Sequence, residues 1–219
     1  MLTDMVLPLE CGGCGAPSTR WCDACAQTIR TRAGEPTLVT PRLDPGVPVL
    51  TLGRYAGPRR QAILAVKEHG RTDLVGPLGD ALGAGLTTLL TWGVVATPLV
   101  VVPAPTRAMA ARRRGGDPVA RIARVAAALA PPGVTVVDAL RMRALTKDSV
   151  GLSASARQRN VTGRIRLRRS AAGSLVGSVV DDVIVVDDVV TTGATASESV
   201  RVLQTAGACV AAVLTVANA

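Results

Sequence analysis

From about residue 48 onward, short aliphatic runs alternate with stretches whose apolar residues recur at helical spacing. The runs VLTL (49–52), LVVV (99–102), VTVVD (134–138) and VIVV (183–186), with the apolar stretch 209–216, predict strands. Between them, the periodicity predicts helices over 58–68, 74–90, 117–129 and 194–205, and Gly207 stands where a helix C-terminal cap belongs. Runs that are apolar on both pleat faces mark strands covered on both sides. Strands separated by helices imply βαβ units and an α/β fold, a mostly parallel central sheet flanked by helices. The chain holds no internal repeat.

The stretch 81–106 carries no charge and is long enough to cross a membrane. Gly83, Gly85, Gly93, Pro98, Pro103 and Pro105 interrupt it, so we read it as a buried helix, a turn at Trp92 and Gly93, and a buried strand, with no membrane insertion. Residues 35–48 hold Pro36, Pro41, Pro45 and Pro48 and little periodicity, which reads as a linker or irregular strap. The expected organisation is therefore a small module over 1–34, a linker over 35–48 and a main domain over 49–219.

Composition adds a constraint on the core. Hydrophobic residues make up 48% of the 219, yet aromatics are 1% and Phe is absent, so Val, Leu, Ile and Ala must fill the interior. The net charge of +9 comes almost entirely from 23 arginines against two lysines, Lys67 and Lys147. An arginine excess is either a solvated compositional preference or a sign of phosphorylated ligands or nucleic acid. Arg112, Arg113 and Arg114 form the densest cluster. In RIRLRR, Arg164, Arg166 and Arg168 alternate with Ile165 and Leu167, as in a charge-defended edge strand with its apolar face inward; Arg169 follows. A nucleic-acid track is the alternative, but the aromatics that single strands stack on are scarce, and Trp21, Tyr55 and Trp92 read as packing residues. His69, the sole histidine, reads as structural or surface.

The first residues, MLTDMVLPLECGG, include acids and lack a basic leader, so a cytoplasmic location is expected. Reduced cysteines follow from that setting. Four of the five lie in CGGCGAPSTRWCDAC: Cys11 and Cys14, then Cys22 and Cys25, two C-x2-C pairs seven residues apart. Each pair can point two thiolates at one ion, so the spacing fits a closed, structural Zn2+ site. A metal-free remnant or a redox pair is the alternative. Cys209, in an apolar run, reads as a small buried hydrophobe.

The richest chemistry is in VIVVDDVVTTGAT, residues 183–195. Here a buried strand is expected to run out at Asp187 and Asp188, and in open α/β sheets ligands bind beyond the carboxyl ends of strands. Thr191, Thr192, Gly193, Ala194 and Thr195 then open a helix, where free backbone amides and the helix dipole favour an anion. Carboxylates just ahead of a phosphate site would repel the phosphate itself, but they can accept hydrogen bonds from sugar hydroxyls nearby. A ligand with a phosphate at one end and a diol at the other satisfies both, namely a ribose 5-phosphate. An ordinary strand-to-helix turn, with Asp188 or Thr191 as a cap, is the plainer reading. Other phosphate loops, of the G-x-x-x-x-G-K-[ST] or G-x-G-x-x-G kind, are absent.

VIVVDDVVTTGAT resembles the phosphoribosyl diphosphate (PRPP) loop of the type I phosphoribosyltransferases. The resemblance implies that fold, with Asp187 and Asp188 on the ribose 2- and 3-hydroxyls. It puts the 5-phosphate on Thr191, Thr192, Gly193, Ala194 and Thr195, with Val189 and Val190 in the same loop. It also implies Mg2+ bound mainly through the diphosphate and ribose. Further elements are similar to the ComF-type competence proteins: the four-cysteine zinc module, Tyr55 and Gly57 followed by Lys67, Gly70 and Arg71, and VVPAPTRAMAARRRG at 101–115. Leu140 to Arg143 and Arg157 to Asn160 add to that likeness. By resemblance the loop after LVVV is the pyrophosphate loop, with Thr106 and Arg107 as contacts; a proline-bounded surface turn is the alternative.

Two departures stand in the region that would meet the second substrate. The family's Arg-Gly-Phe-Asn-Gln is replaced by Arg114, Gly115, Gly116, Asp117 and Pro118, and a Gln expected after Thr146 is replaced within KDSVGL. The implied function is a Mg2+-dependent transferase that displaces pyrophosphate from PRPP with a nitrogen nucleophile. The alternative is a non-catalytic competence protein that handles single-stranded DNA and uses the pocket to sense a ligand.

Overall fold

The aliphatic run at 183–186 becomes the middle of a six-stranded sheet ordered β1–β2–β8–β7–β3–β4. The computed structural model describes residues 9–32, 34–106, 116–143, 163–171 and 182–219. The strands of this sheet are β1 (Thr37–Val39), β2 (Val49–Thr51), β3 (Leu99–Pro103), β4 (Val134–Val136), β7 (Asp182–Val190) and β8 (Val210–Asn218). Only the β1–β2 pairing is antiparallel. A separate antiparallel ribbon joins β5 (Leu140–Met142) to β6 (Ile165–Leu167). The helices are α1 (Asp23–Ile29), α2 (Gly57–Glu68), α3 (Val75–Thr91), α4 (Pro118–Leu129) and α5 (Ala194–Thr205). A mixed α/β fold with a mostly parallel sheet is thus present, as the alternation of aliphatic runs and helical patterns predicts.

Alternating side chains of the inner strands feed two apolar clusters, one on each face. Leu99, Val101, Ile184, Val186, Leu214 and Val216 join residues of α2, α3 and α4 on one face. On the other, Val100, Val102, Val183, Val185 and Val213 join Ala196, Val200 and Leu203 of α5 and Ile165 of the ribbon. With no Phe available, branched aliphatics do the filling, each fully buried Leu or Val contributing about 1.5–3 kcal/mol. Helix α3 is long and apolar enough to cross a membrane, counted from Thr72. It is instead a core helix: Leu78, Leu82, Leu86 and Leu89 are fully buried. Its glycines serve packing, since a Cβ on Gly79 would lie 2.5 Å from Val125 of α4 and one on Gly83 would lie 3.0 Å from the Ala126 carbonyl oxygen.

Four expectations change. Strand β7 does not stop at the aspartates but continues to Val190, because Asp187, Val189 and Val190 stay in register with Thr215, Ala217 and Asn218 of β8. The segment read as a linker contributes the exposed edge strand β1, three residues between Pro36 and Pro41, too short for its periodicity to register. Cys209 is exposed, because it sits in the turn just ahead of β8 rather than within it. Trp92 is 49% exposed, because it caps the C-terminus of α3 rather than packing in the core. The alternation in RIRLRR holds: Ile165 is buried and Arg166 and Arg168 are exposed, on a strand whose partner is β5 and not the main sheet.

Candidate functional site

Chain connections leave β3 and β7 in opposite directions. From β3 the chain passes through α4 to the edge strand β4, and from β7 it passes through α5 to β8 on the other side. The carboxyl ends of these adjacent strands therefore flank a topological switch point, where open α/β sheets form their ligand crevice. The two strands are parallel neighbours, so Ala104 to Thr106 after β3 and the loop after β7 leave the sheet at the same edge.

On the β7 side, a cleft is lined by Asp187, by Val189 to Ala196, and by Thr215. Gly193 is the N-cap of α5 and has φ 82°, in the left-handed region. The helical hydrogen-bond ladder starts with Ser197 N–H to the Gly193 carbonyl at 2.8 Å, so the first-turn amides of Thr195 and Ala196 precede it, and both residues line the cleft. The Ala194 amide reaches Thr192 Oγ1 at 3.4 Å. The strap from the N-terminal side closes the loop from outside: Leu43 N–H donates to the Thr192 carbonyl at 2.8 Å. Pro41 and Leu43 lie where a side chain on residue 193 would have to go. The result is an amide-rich, hydroxyl-bearing loop on a helix N-terminus, held rigid from behind.

The two aspartates part company. Asp188 is 4% exposed and turns toward α2, where its Oδ2 lies 2.6 Å from Lys67 Nζ. Burial works against the Lys67 charge, but Asp188 and then Asp187 outweigh it, so the ammonium is held above its ordinary pKa. Asp187 lines the loop cleft, beside Thr215 of β8, which in turn is level with Thr51 of β2. Its Oδ1 accepts the Asp188 N–H at 2.8 Å. Burial of the carboxyl, and next the Asp188 charge, raise the Asp187 pKa well above the usual carboxylate range, with Lys67 opposing. Sequence reasoning paired the two acids on one ligand; strand β7 runs through them, so they face different surroundings. Lys67 entered only through a family likeness, although being one of two lysines in an arginine-rich chain was a signal of its own.

On the β3 side, Thr106 is engaged within the protein. Its N–H and its hydroxyl donate to Asp117 Oδ2 at 3.1 and 2.8 Å. The other Asp117 oxygen caps α4 by accepting the Val119 and Ala120 amides at 3.0 and 3.4 Å. Asp117 thus ties the residues after β3 to the start of α4. Arg107, Arg112, Arg113, Arg114, Lys147 and the segment from Arg157 to Asn160 lie outside the described residues.

The cysteines form a second centre. The Sγ atoms of Cys11, Cys14, Cys22 and Cys25 all lie within 4.8 Å of one another, and Cys14 and Cys22 are 3.7 Å apart. Zn–S bonds of about 2.3 Å at tetrahedral angles require S···S separations of about 3.8 Å, so the donor set fits a metal ion such as zinc. Cys11 Sγ accepts amides from Gly13 and Cys22 at 3.4 Å each. Burial raises the Cys11 pKa, but the backbone amides of Cys14, Cys22 and Gly13 more than offset it and bring the thiol to about 6. Burial and the neighbouring thiols push Cys25 upward. Arg71 fastens this module to the sheet domain: its guanidinium pairs with Asp73 at 2.7 Å and donates to the Glu10 and Arg20 carbonyls at 3.2 and 3.1 Å.

No family model matches the sequence, and no curated protein matches it. Among solved structures, the chain is similar to a hypoxanthine phosphoribosyltransferase from Staphylococcus aureus, at 17% identity and a TM-score of 0.32. The match covers 65% of this chain and 64% of that one, so this chain spans less than two thirds of that protein's length.

Proposed function

We propose that this protein binds PRPP in the crevice between β3 and β7 and transfers its phosphoribosyl group to a nitrogen nucleophile, releasing diphosphate. One observation carries the reading: a carboxylate, Asp187, and the amide-rich start of α5 line a single cleft at the switch point of a parallel sheet. Thr191, Thr192, Gly193, Ala194 and Thr195 would take the 5-phosphate, and Asp187 a ribose hydroxyl. Asp188 would contribute through Lys67, which anchors β7 against α2. Mg2+, when bound, would neutralise the diphosphate, and Asp187 is the carboxylate lining this cleft that could help hold it. In the transfer, the nucleophile's nitrogen bonds to ribose C1 as the C1–oxygen bond breaks, and diphosphate leaves with that electron pair. The chain's part is positioning: the two loops hold the two ends of the donor.

The ComF-type reading draws support from how its residues converge, with Lys67 on Asp188 and Arg71 on the cysteine module. We extend the proposal to a structural zinc on Cys11, Cys14, Cys22 and Cys25, and to a phosphoribosyltransferase-like domain over 49–219. The test is calorimetric titration of PRPP with Mg2+ into wild type and into Asp187→Asn, followed by diphosphate release in the presence of purine and pyrimidine bases. Saturable binding weakened at least tenfold in the variant is expected. A wild type that takes up no PRPP ends the proposal; binding without diphosphate release with any base removes the transfer step.

A further inference from the structure

Away from the crevice, the β5–β6 ribbon carries a charge arrangement that its fold does not explain. Arg141 and Arg166 are direct cross-strand partners, both exposed, and like charges placed opposite each other destabilise a ribbon. Arg143 and Arg169 join them around one concavity of about 640 Å³, which Leu167 also lines. Among the described residues, no carboxylate forms an ion pair with any of these four arginines. Glu198, which feels the Arg166 charge, has its oxygens committed to Arg201 at 2.8 and 2.9 Å and to the Gly163 amide at 2.8 Å. Arg166 spends one guanidinium N–H on the Ile165 carbonyl at 3.4 Å, and Arg168, outside the group, donates to the Leu140 carbonyl at 3.1 Å. The ribbon beneath is firmly seated, since Leu140 and Ile165 are buried against the α5 face of the sheet.

From this geometry we infer a second anion site: the concavity of Arg141, Arg143, Arg166 and Arg169 binds a chain of linked phosphates, as in a triphosphate. Four guanidinium forks match the charge of about −4 on a triphosphate and can each grip non-bridging oxygens in pairs. The volume is that of a small-molecule site. Among the described residues no aromatic side chain lines it, which argues against an extended single strand, since that would be held by stacking. Bound polyphosphate would turn the Arg141–Arg166 repulsion into shared attraction.

The test is titration of inorganic tripolyphosphate, ATP, GTP and a single-stranded oligonucleotide into the full chain, into Arg141→Gln/Arg166→Gln and into Asp187→Asn. One tripolyphosphate per chain is expected. Affinity should drop at least tenfold in the arginine double variant, be unchanged in Asp187→Asn, and be unaffected by orthophosphate at equal concentration. The double variant should melt no lower than wild type, because it removes a repulsive pair, so loss of binding would not reflect misfolding. Equal affinity for tripolyphosphate and nucleotides assigns the phosphate chain alone, while tighter nucleotide binding names the nucleotide as its source. The inference is overturned if the arginine variant binds as wild type does, if Asp187→Asn abolishes tripolyphosphate binding, or if only the oligonucleotide binds. Because the two variants sit at different sites, failure here leaves the PRPP reading untouched, and failure of that reading leaves this one standing.

Discussion

Asp187 and Asp188 are neighbours in the chain and lie on opposite sides of the same sheet. Asp188 is sealed under α2 and neutralised by Lys67; Asp187 looks into the cleft at the start of α5 and, among the described residues, forms no ion pair. The difference teaches that a doubled acid at the end of a central strand can divide its labour by pleat parity alone. One carboxylate is built into the fold and fastens the strand end. The other is kept in a setting that disfavours its charge, which suits a group waiting for hydroxyl donors or a cation.

The sharpest break of this contrast comes from Lys67. Lys67→Met would strand the Asp188 carboxylate at 4% exposure, and removing one partner of a buried pair costs about 3–5 kcal/mol. Asp188→Asn should cost less, because Lys67 is 30% exposed and can turn its ammonium to water. Lys67→Met/Asp188→Leu should recover most of the loss. Urea denaturation of the four proteins measures this; equal losses for the two single variants would mean that the pair is not the anchor described.

The loop side is tested next by Gly193→Ala. The left-handed backbone alone costs a non-glycine residue about 1–2 kcal/mol, and the new Cβ would run into the Leu43 carbonyl and Pro41. A loss of about 2 kcal/mol is expected, together with displacement of the strap. If amide exchange at Leu43 is unchanged in the variant, the strap does not brace this loop.

How much of this was legible beforehand depends on the range of the interaction. Local signals were readable: period-2 and period-3.6 patterns marked the long elements, and Asp187 with the threonines announced the cleft because strand, acid and helix start are contiguous. The cysteine spacing brought four thiols together for the same reason. What escaped was set by pairing across the chain. Strand β7 continues past the aspartates because β8, some 28 positions later, offers partners as far as Asn218. Lys67 meets Asp188 across the sheet face, and Leu43 meets Thr192 through a strap with no periodicity. Thr106, assigned to a ligand by resemblance, is instead bonded to Asp117, a contact that only the return of α4 creates.

That contact gives a smaller prediction, on the opposite wall of the crevice. Asp117→Ala removes the α4 N-cap and both Thr106 bonds, for a loss of about 1–2 kcal/mol. Thr106→Val, which removes only the hydroxyl bond, should cost about 1 kcal/mol or less. Thermal melts order the two; a larger loss for Thr106→Val would show that its hydroxyl holds more than the cap.

The smallest expected effect carries the opposite sign and separates the aspartates most cleanly. Because the folded pKa of Asp187 is raised, chiefly by burial and then by Asp188, the native state holds this proton more tightly than the unfolded chain does. Stability from this group is therefore full below the unfolded value of about 3.9 and is lost as pH rises through the raised folded value. Asp187→Asn removes that dependence, so the variant should match wild type in acid and exceed it near neutrality, while Asp188→Asn loses stability there. Denaturation midpoints measured from pH 4 to pH 8 decide it. If Asp187→Asn is destabilising at neutral pH, its carboxylate is an anchor like its neighbour's, and the division of labour between the two faces of β7 does not hold.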